Sequence, residues 1–354
     1  MANKKVFLYV GYFETKPYPP YSDADITGLH ADEFVITCAG YPGYLTCQGV
    51  NDTEDKRLDR LNDYMNAQVE LAVRIIRLTG KTVWFGFPQP PRPTKTITIE
   101  EYKKYITAFL DIAATLKLKI NGYNKDYYYN YVQGFYMNDE HVRRYSFTNT
   151  VEGLDCDDPY GVDINVATNM LAHPQIYMYR KVSDALKTAT YGWKKLLWSP
   201  YMGYGHNYDT TMIDIAYIAN TTDIFDTVLL QPHHYFFYEK NGQEDVKKNL
   251  AVVRNSLNRQ EVRRRTNSGN TDTRVVAKTS PTIIGCQMEI DESYFNEKLE
   301  HYAACRQKFP DYLEAFSGSK VTSPANRVFS FYCDQRFNGW EDAQKEVNKF
   351  FDTL

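Results

Sequence analysis

The sequence has no long apolar run, no C-x-x-C pair and no G-x-G-x-x-G turn after its first strand. No apolar run reaches the ~18 residues expected of a membrane-spanning helix. The six cysteines lack the spacing of zinc or redox sites, and the missing glycine turn counts against a dinucleotide-binding fold. A net charge of -3 over 354 residues provides no basic surface for nucleic acid. We therefore expect no cofactor, no metal, and neither nucleic acid nor membrane as a partner.

The first residues, MANKKVFLYVGYF, lack the long apolar segment and the small-residue cleavage site of a secretory signal. The segment VFLYVGYF is better explained as a buried strand. This pattern predicts a cytoplasmic protein, or a secreted one whose signal segment has been removed.

Tyrosine is in clear excess, with 30 Tyr beside 19 Phe and 4 Trp. A Tyr side chain combines a flat apolar face with a polar tip. Some of these rings fill a core, but an excess beyond the needs of a core indicates a surface that binds sugar or protein.

Strand-like and helix-like segments alternate along the whole chain, which indicates an α/β fold. Several strands are apolar throughout, as in a parallel sheet that is covered on both faces. The predicted strands are residues 6–13, 33–41, 82–87, 132–140, 195–201, 227–235, 282–291 and 327–334. The predicted helices are residues 58–78, 98–116, 174–190, 212–219, 243–257, 294–309 and 340–351.

The number of strands favours a single (β/α)8 TIM barrel over an open doubly wound sheet. Polar or acidic residues follow nearly every predicted strand, which also favours the barrel. We expect one barrel domain over residues 1–354 with long strand-to-helix loops and a polar insertion near 258–276.

Two predicted strands end in pairs of carboxylates. VQGFYMNDE ends in Asp139 and Glu140, and TIIGCQMEID contains Glu289 and Asp291. A TIM barrel keeps its chemistry at the C-terminal ends of its strands, and glycoside hydrolysis uses two carboxylates. We predict Glu140 as the acid and Glu289 as the nucleophile or base, with Asp139 and Asp291 as alternatives. Because side chains alternate along a strand, only one of Asp139 and Glu140 is expected to point into the barrel mouth.

Aromatic and hydrogen-bonding side chains at other strand ends complete the predicted carbohydrate site. Tyr and Trp rings can stack on sugar faces, while amide, imidazole and carboxylate groups can bind hydroxyls. The predicted substrate-binding residues are Tyr12, Trp198, Tyr201, His206, Gln231, His233, Tyr235, Asp334 and Trp340.

Two other functions fit parts of the same pattern. One is a non-catalytic barrel that binds carbohydrate or a protein partner through its Tyr-rich loops. The other is a metal-assisted hydrolase that uses His206, His233, Asp139 and Glu289. Adjacent histidines diverge on a strand, which disfavours His233 and His234 as a pair of ligands.

The order of several short motifs resembles an uncharacterised bacterial family of glycosidase-like barrels, called domain of unknown function 4855. The motifs lie between about residues 33 and 295 and are DEFVITCAGY, TVWFGFPQP, GFYMNDEHV, LLWSPYMGYG, DTVLLQPHHYFF and GCQMEID. The resemblance implies a barrel that cleaves or binds carbohydrate. It also resembles retaining glycosidases, with the acid after strand four and the nucleophile after strand seven, the places of Glu140 and Glu289.

The chain departs from that family pattern at three positions. His233 stands where the family tends to have Asn, and Asp291 replaces a second Glu. Asp139 interrupts the Asn–Glu pair that is usual in the larger group. These departures leave the choice within each pair of acids open.

Overall fold

Eight parallel strands close into a barrel in the computed structural model of the chain. Each strand pairs with its neighbours in sequence, and the first pairs with the last. The strands are β1 (Asn3–Tyr9), β2 (Glu33–Thr37), β3 (Thr82–Gly86), β4 (Val132–Met137), β5 (Lys195–Trp198), β6 (Thr227–Leu230), β7 (Ile283–Ile290) and β8 (Val328–Cys333). The predicted (β/α)8 architecture is confirmed.

The structure describes residues 2–13, 16–38, 44–45, 53–90, 99–140, 174–203, 208–237, 243–265, 273–316, 320–322, 327–333 and 340–354. Within these ranges the helices are α1 (Asp23–Thr27), α2 (Glu54–Thr79), α3 (Ile99–Tyr123), α4 (Tyr127–Tyr131), α5 (Pro174–Leu186), α6 (Tyr208–Thr221), α7 (Gln243–Arg259), α8 (Tyr302–Phe316) and α9 (Trp340–Phe351). No helix in the described ranges has the length and apolar character needed to cross a membrane.

Some predicted boundaries were wrong, for local reasons. Helix α2 starts at Glu54, earlier than predicted, because the Thr53 side chain caps it by accepting a hydrogen bond from the Lys56 amide. Strand β1 ends at Tyr9 rather than at residue 13, and Gly11 with a φ of 81° follows it. Such a left-handed backbone suits glycine and breaks the strand.

The helix predicted at 294–309 begins instead at Tyr302. The residues after β7 form a short 3-10 turn, Glu292–Tyr294, whose start is capped by the Asp291 side chain. Helix α8 then continues through Pro310 to Phe316, past the end predicted at residue 309.

The core has two layers, separated by the barrel wall. Alternate strand residues point inward and fill the barrel, and the others pack under the helices. The inner cluster contains Phe7, Val35, Trp84, Tyr136, Leu197, Leu229 and Val328. Inward-facing polar residues lie beyond the inner cluster, towards the C-terminal ends of the strands. We call this end of the barrel the mouth.

At the opposite end of the barrel, Glu33 is the centre of a buried polar cluster. Its carboxylate forms an ion pair with Lys5. It also accepts hydrogen bonds from the Trp84 indole at 2.5 Å and from the Asn3 amide at 2.6 Å. The catalytic residues of TIM barrels lie at the mouth. We therefore expect this cluster, at the opposite end, to contribute to stability rather than to catalysis.

Gly134 is required by the close approach of β4 and β5. A Cβ atom at this position would lie 2.1 Å from the carbonyl oxygen of Lys195, which is backbone. We expect Gly134→Ala to lower the free energy of unfolding by ~1–3 kcal/mol, measured by chemical denaturation.

Gly122→Ala is the matched control. A Cβ atom there meets no atom within 4 Å, and the residue lies in α3. Because Ala favours helix, this variant should be unchanged or more stable by up to ~1 kcal/mol. Equal losses in the two variants would contradict the close-approach explanation.

Candidate active site

Glu140 lies on the inner side of the chain that continues from β4. It follows Tyr136, a member of the inner cluster, at an even spacing that returns to the same side. Its Oε1 atom accepts a hydrogen bond from Nε2 of Gln231 at 3.0 Å. Its carbonyl oxygen accepts one from the Tyr201 amide at 3.0 Å. These contacts hold the Glu140 carboxylate at the mouth.

Asp139 points the opposite way. Its Oδ2 atom accepts hydrogen bonds from the Gln175 amide at 2.7 Å and from the Tyr179 hydroxyl at 2.8 Å, both on α5. The carboxylate is therefore buried between the barrel wall and a helix. The structure removes Asp139 from the candidate catalytic pair and assigns it to holding α5 against the barrel.

A chain of hydrogen bonds continues from Glu140 across the inner face. Gln231 Nε2 also donates to the carbonyl oxygen of Ser199 at 2.7 Å. The Ser199 hydroxyl in turn donates to Gln287 Oε1. These residues lie on or directly after β4, β5, β6 and β7, so the network fixes the amide group that faces Glu140.

Glu289 lies near the end of β7, on the same side of the strand as Gln287. It is 2% exposed. The Tyr312 hydroxyl, from α8, donates a hydrogen bond to its Oε2 atom. Its Oε1 atom is buried and has no hydrogen-bond partner among the described residues. One carboxyl oxygen is thus fixed by the protein, and the other has its hydrogen-bonding capacity unused.

Burial raises the pKa of Glu289 to about 8. The hydrogen bond from Tyr312 opposes this rise, and the negative charge of Glu140 adds to it. The charge of Glu140 therefore affects the pKa of Glu289 within one barrel mouth. A carboxyl group with this pKa keeps its proton at neutral pH.

We expect Tyr312→Phe to raise the pKa of Glu289 further. The lost O–H donor stabilises the charged form of the carboxyl group, so its removal favours the protonated form. Carbon-13 NMR titration of the Glu side chains measures this shift. Tyr191→Phe, in the 3-10 turn that precedes β5, is the control and should leave the Glu289 pKa unchanged. A lower or unchanged Glu289 pKa in Tyr312→Phe would contradict the assignment.

Tyr201 and His233 form a second part of the mouth. The Tyr201 hydroxyl lies 2.5 Å from Nδ1 of His233. Burial lowers the pKa of His233 to about 4, and the positive charge of Lys308 lowers it as well. The imidazole is therefore neutral at pH 7 and can donate a hydrogen bond to a hydroxyl group or accept one from it.

The backbone around His233 is strained in order to place this ring. His233 has a φ of 53°, a left-handed conformation that is uncommon for residues other than glycine, although His adopts it more often than most. Its ring lies against Gly203, where a Cβ atom would fall 1.9 Å from Nδ1. Strain of this kind is concentrated at functional sites, which supports a binding role for the ring.

Tyr235 and Asp291, both predicted for the site, form a structural pair instead. The Tyr235 ring is fully buried, and its hydroxyl donates to Oδ1 of Asp291 at 3.0 Å. The same oxygen accepts a hydrogen bond from the Ser293 amide at 2.9 Å. The pair thus closes the turn after β7, which leaves Glu289 as the acid of that strand.

Both predicted tryptophans are in the outer core rather than in the mouth. Trp198 is fully buried, stacks on Phe225 at 5.0 Å and donates its indole N–H to the Asp139 carbonyl oxygen at 2.5 Å. Trp340 is buried at the start of α9, edge-on to Tyr21. Neither ring is available to stack on a sugar, so these two predictions are corrected.

Three of the predicted substrate-binding residues remain, and the structure describes one of them. Tyr12 is half-buried in the short ribbon that follows β1. His206 and Asp334 lie outside the described residues. Two of the four residues of the metal-assisted alternative, Asp139 and Glu289, face opposite sides of the barrel wall. No group of three or more potential metal ligands occurs among the residues that the structure describes.

Sequence reasoning missed the tyrosines inside the barrel. The rings of Tyr9 and Tyr332 meet edge-on, with centroids 5.0 Å apart. Burial raises the pKa of Tyr9, and the negative charge of Glu140 contributes, which places Tyr9 close to that candidate acid. The i, i+4 spacing of Tyr136 and Glu140 on one strand could have indicated this inner aromatic ring. Tyr312 gave no such signal, because it comes from a helix.

No family model and no curated protein matches the chain. Among solved structures, a glycoside hydrolase family 5 enzyme from Prevotella bryantii has 10% identity and a TM-score of 0.48, covering 98% of this chain and 94% of that one. An endocellulase from Pyrococcus horikoshii has 12% identity and a TM-score of 0.47, covering 93% and 85%. A xylanase-alpha-amylase inhibitor protein has 9% identity and a TM-score of 0.40, covering 99% of both chains. The fold is therefore argued from the strand pairing of the chain itself, and the activity from its site.

Proposed function

We propose that this protein is a glycoside hydrolase in which Glu140 and Glu289 are the catalytic pair. The observation that carries the proposal is their placement in one barrel mouth, where the charge of Glu140 helps to keep a proton on Glu289. Glycosidases use two carboxyl groups whose environments push their pKa values apart, so that one donates a proton and the other is ionised.

In this proposal Glu289 is the proton donor. Its Oε2 atom accepts the Tyr312 hydrogen bond, so the proton resides on Oε1, the buried oxygen that has no partner among the described residues. This proton is transferred to the glycosidic oxygen as the bond to the sugar breaks. Glu140, oriented by Gln231, attacks the anomeric carbon or activates water. The order is the reverse of the one expected from sequence.

The substrate class is carbohydrate, an oligo- or polysaccharide. Tyr201 and His233 supply hydroxyl-binding groups, Gln231 supplies an amide, and Tyr12 adds an aromatic face. Glu289 is buried, so a sugar reaches it only when the side chains that cover it move. Closure and opening of this kind are common steps at active sites.

A panel of plant, microbial and animal polysaccharides tests the proposal through release of reducing ends. The wild type should act on at least one of them and should keep its activity in the presence of a chelator. Glu140→Gln and Glu289→Gln should be inactive on the same substrate. A wild type that binds a polysaccharide without cleaving it, with equal affinity in both variants, would establish the non-catalytic barrel instead.

A further inference from the structure

We propose that Trp193 and Tyr129 form a platform that binds a neutral polysaccharide at the end of the barrel opposite the mouth. Trp193 lies in the turn between the 3-10 helix and β5, two residues before that strand. Tyr129 lies in α4, which leads directly into β4. Both rings therefore sit where strands begin, and they are 72% and 54% exposed, respectively.

The backbone of Trp193 is strained. Its φ is 55°, a left-handed conformation that is an outlier for a bulky side chain. Gly192 before it has a φ of 74°, which glycine adopts freely. The Trp193 amide donates a hydrogen bond to the Thr188 carbonyl oxygen at 3.0 Å, so main-chain contacts enforce the turn. Gly or Asn would be less strained at this position than Trp.

The indole ring of Trp193 has no polar or aromatic partner that would explain its presence. It forms no hydrogen bond, ring contact or cation–π contact with any residue in the described ranges. The Tyr129 hydroxyl likewise forms no hydrogen bond with a described residue. Backbone strain is concentrated at functional sites such as ligand clamps, so a strained and exposed Trp points to a ligand.

Hydrogen bonds fasten α4 to the turn that carries Trp193. The buried ammonium group of Lys194 donates to the carbonyl oxygen of Tyr128 at 2.9 Å. The Tyr128 hydroxyl donates to the carbonyl oxygen of Tyr191 at 2.8 Å. The two segments that bear the exposed rings are thus joined through a buried side chain from each of them.

The Tyr129 ring is itself held on two sides. It lies against Gly192, where a Cβ atom would fall 3.1 Å from a ring carbon. Nζ of Lys117 lies 5.4 Å from the ring centre and donates to the Thr190 carbonyl oxygen at 2.7 Å. Both rings are therefore in place before a ligand arrives, which lowers the entropic cost of binding.

The size and chemistry of the platform favour a sugar chain over a protein. One aromatic side chain buries ~150–250 Å², whereas a stable protein interface buries ~800 Å² on each partner. Polar or charged residues surround the two rings, among them the exposed Asp126, Asn130 and Lys195. A flat ring with an unused N–H or O–H group at its edge can stack on the apolar face of a sugar and bind its hydroxyls. Two such rings suit successive units of one chain.

The platform does not rest on the proposed glycosidase activity. It lies at the opposite end of the barrel from Glu140 and Glu289, so Glu289→Gln should bind polysaccharide on the platform as the wild type does. An inactive wild type that still binds there would overturn the proposed function and support the platform. An active wild type without binding there would do the reverse.

Quenching of tryptophan fluorescence by acrylamide reports on this site. Trp193 is the exposed one of the four tryptophans, and the other three are at most 7% exposed. We expect at least one of β-glucan, xylan, galactomannan and glycogen to lower the quenching constant of the purified full chain at least twofold, with saturation. A sugar bound only in the mouth leaves the Trp193 ring open to acrylamide.

Three variants make the result specific. Tyr129→Ala keeps Trp193 as the reporter and should weaken the protection severalfold. Trp193→Asn should melt no lower than the wild type, because Asn tolerates the left-handed backbone. Leu58→Gln, which removes a similarly exposed apolar side chain from α2, is the control and should be protected as the wild type is.

Three results would overturn the proposal. The first is unchanged quenching with every polysaccharide, or equal protection in Tyr129→Ala and the wild type. The second is a clearly lower melting temperature of Trp193→Asn, which would show that the ring serves the fold. The third is protection that rises with protein concentration and not with polysaccharide, which would assign the platform to a second copy of the chain.

Discussion

Replacing either Glu140 or Glu289 by Gln is expected to lower kcat by about 10²–10⁴-fold, the usual contribution of a positioned acid or base. Gln keeps the size of each side chain, so Gln231 and Tyr312 still have an oxygen to contact. What is lost is the proton of Glu289 in one variant and the negative charge of Glu140 in the other. Initial rates on the substrate found in the polysaccharide panel measure the effect. Glu314→Gln, an exposed acid on α8, is the control and should leave kcat unchanged.

The two variants should differ on substrates with good leaving groups. The nitrophenolate group of a nitrophenyl glycoside leaves without being protonated. Glu289→Gln should therefore recover most of its rate on this substrate. Glu140→Gln should not recover, because the attack on the anomeric carbon still fails. Recovery in Glu140→Gln and not in Glu289→Gln would restore the order expected from sequence, with Glu140 as the acid.

The raised pKa of Glu289 also makes a prediction about stability. The unfolded chain releases this proton near a pH of 4.5, and the folded chain holds it to about 8. Between these values the folded state binds more protons than the unfolded state, so stability falls as pH rises. Glu289→Gln removes this loss. Its melting temperature relative to wild type should therefore be higher at pH 9 than at pH 4, and a constant difference would contradict the raised pKa.

Glu33→Gln should lower the free energy of unfolding by ~3–5 kcal/mol, the cost of breaking a buried ion pair by removing one partner. Lys5 is 3% exposed and would keep a buried charge without its carboxylate partner. The amide would also weaken the contacts from Asn3 and Trp84. Urea denaturation at pH 7 measures the difference.

Glu100→Gln is the matched control for this change. Glu100 forms an ion pair with Lys103 at 2.6 Å, but both side chains are more than half exposed. Exposed pairs of this kind contribute little because solvent screens them, so Glu100→Gln should leave the free energy of unfolding close to that of the wild type. A similar loss in the two variants would show that the cluster under the barrel has no special part in stability.

The barrel could be predicted because its strands are short, apolar and separated by amphipathic helices. The inward or outward direction of each strand residue could not be predicted from the sequence. In LLWSPY the residues Leu196, Leu197 and Trp198 are all apolar, so this run does not show that Leu197 fills the barrel while Trp198 packs under the helices. The same uncertainty applied to Asp139 and Glu140. Only the contacts of α5 show which acid faces out.

The parts of the site that come from distant segments were also beyond sequence analysis. Tyr312 lies 23 positions after Glu289, on a helix whose start was misplaced by the capped turn at Asp291. Its effect on Glu289 depends on that helix lying against the end of β7. Trp340 was assigned to a strand end, although the helix that it begins packs under the barrel wall.

A crystal structure of Glu289→Gln with an uncleaved oligosaccharide tests the central claim most directly. The claim predicts a sugar chain across the barrel mouth, with the glycosidic oxygen within ~2.6–3.2 Å of the side chain at position 289. It also predicts Glu140 close to the anomeric carbon, in line for attack or with a water between. An oligosaccharide bound elsewhere, or one that crosses the mouth without approaching both side chains, would contradict the assignment of this pair as catalytic.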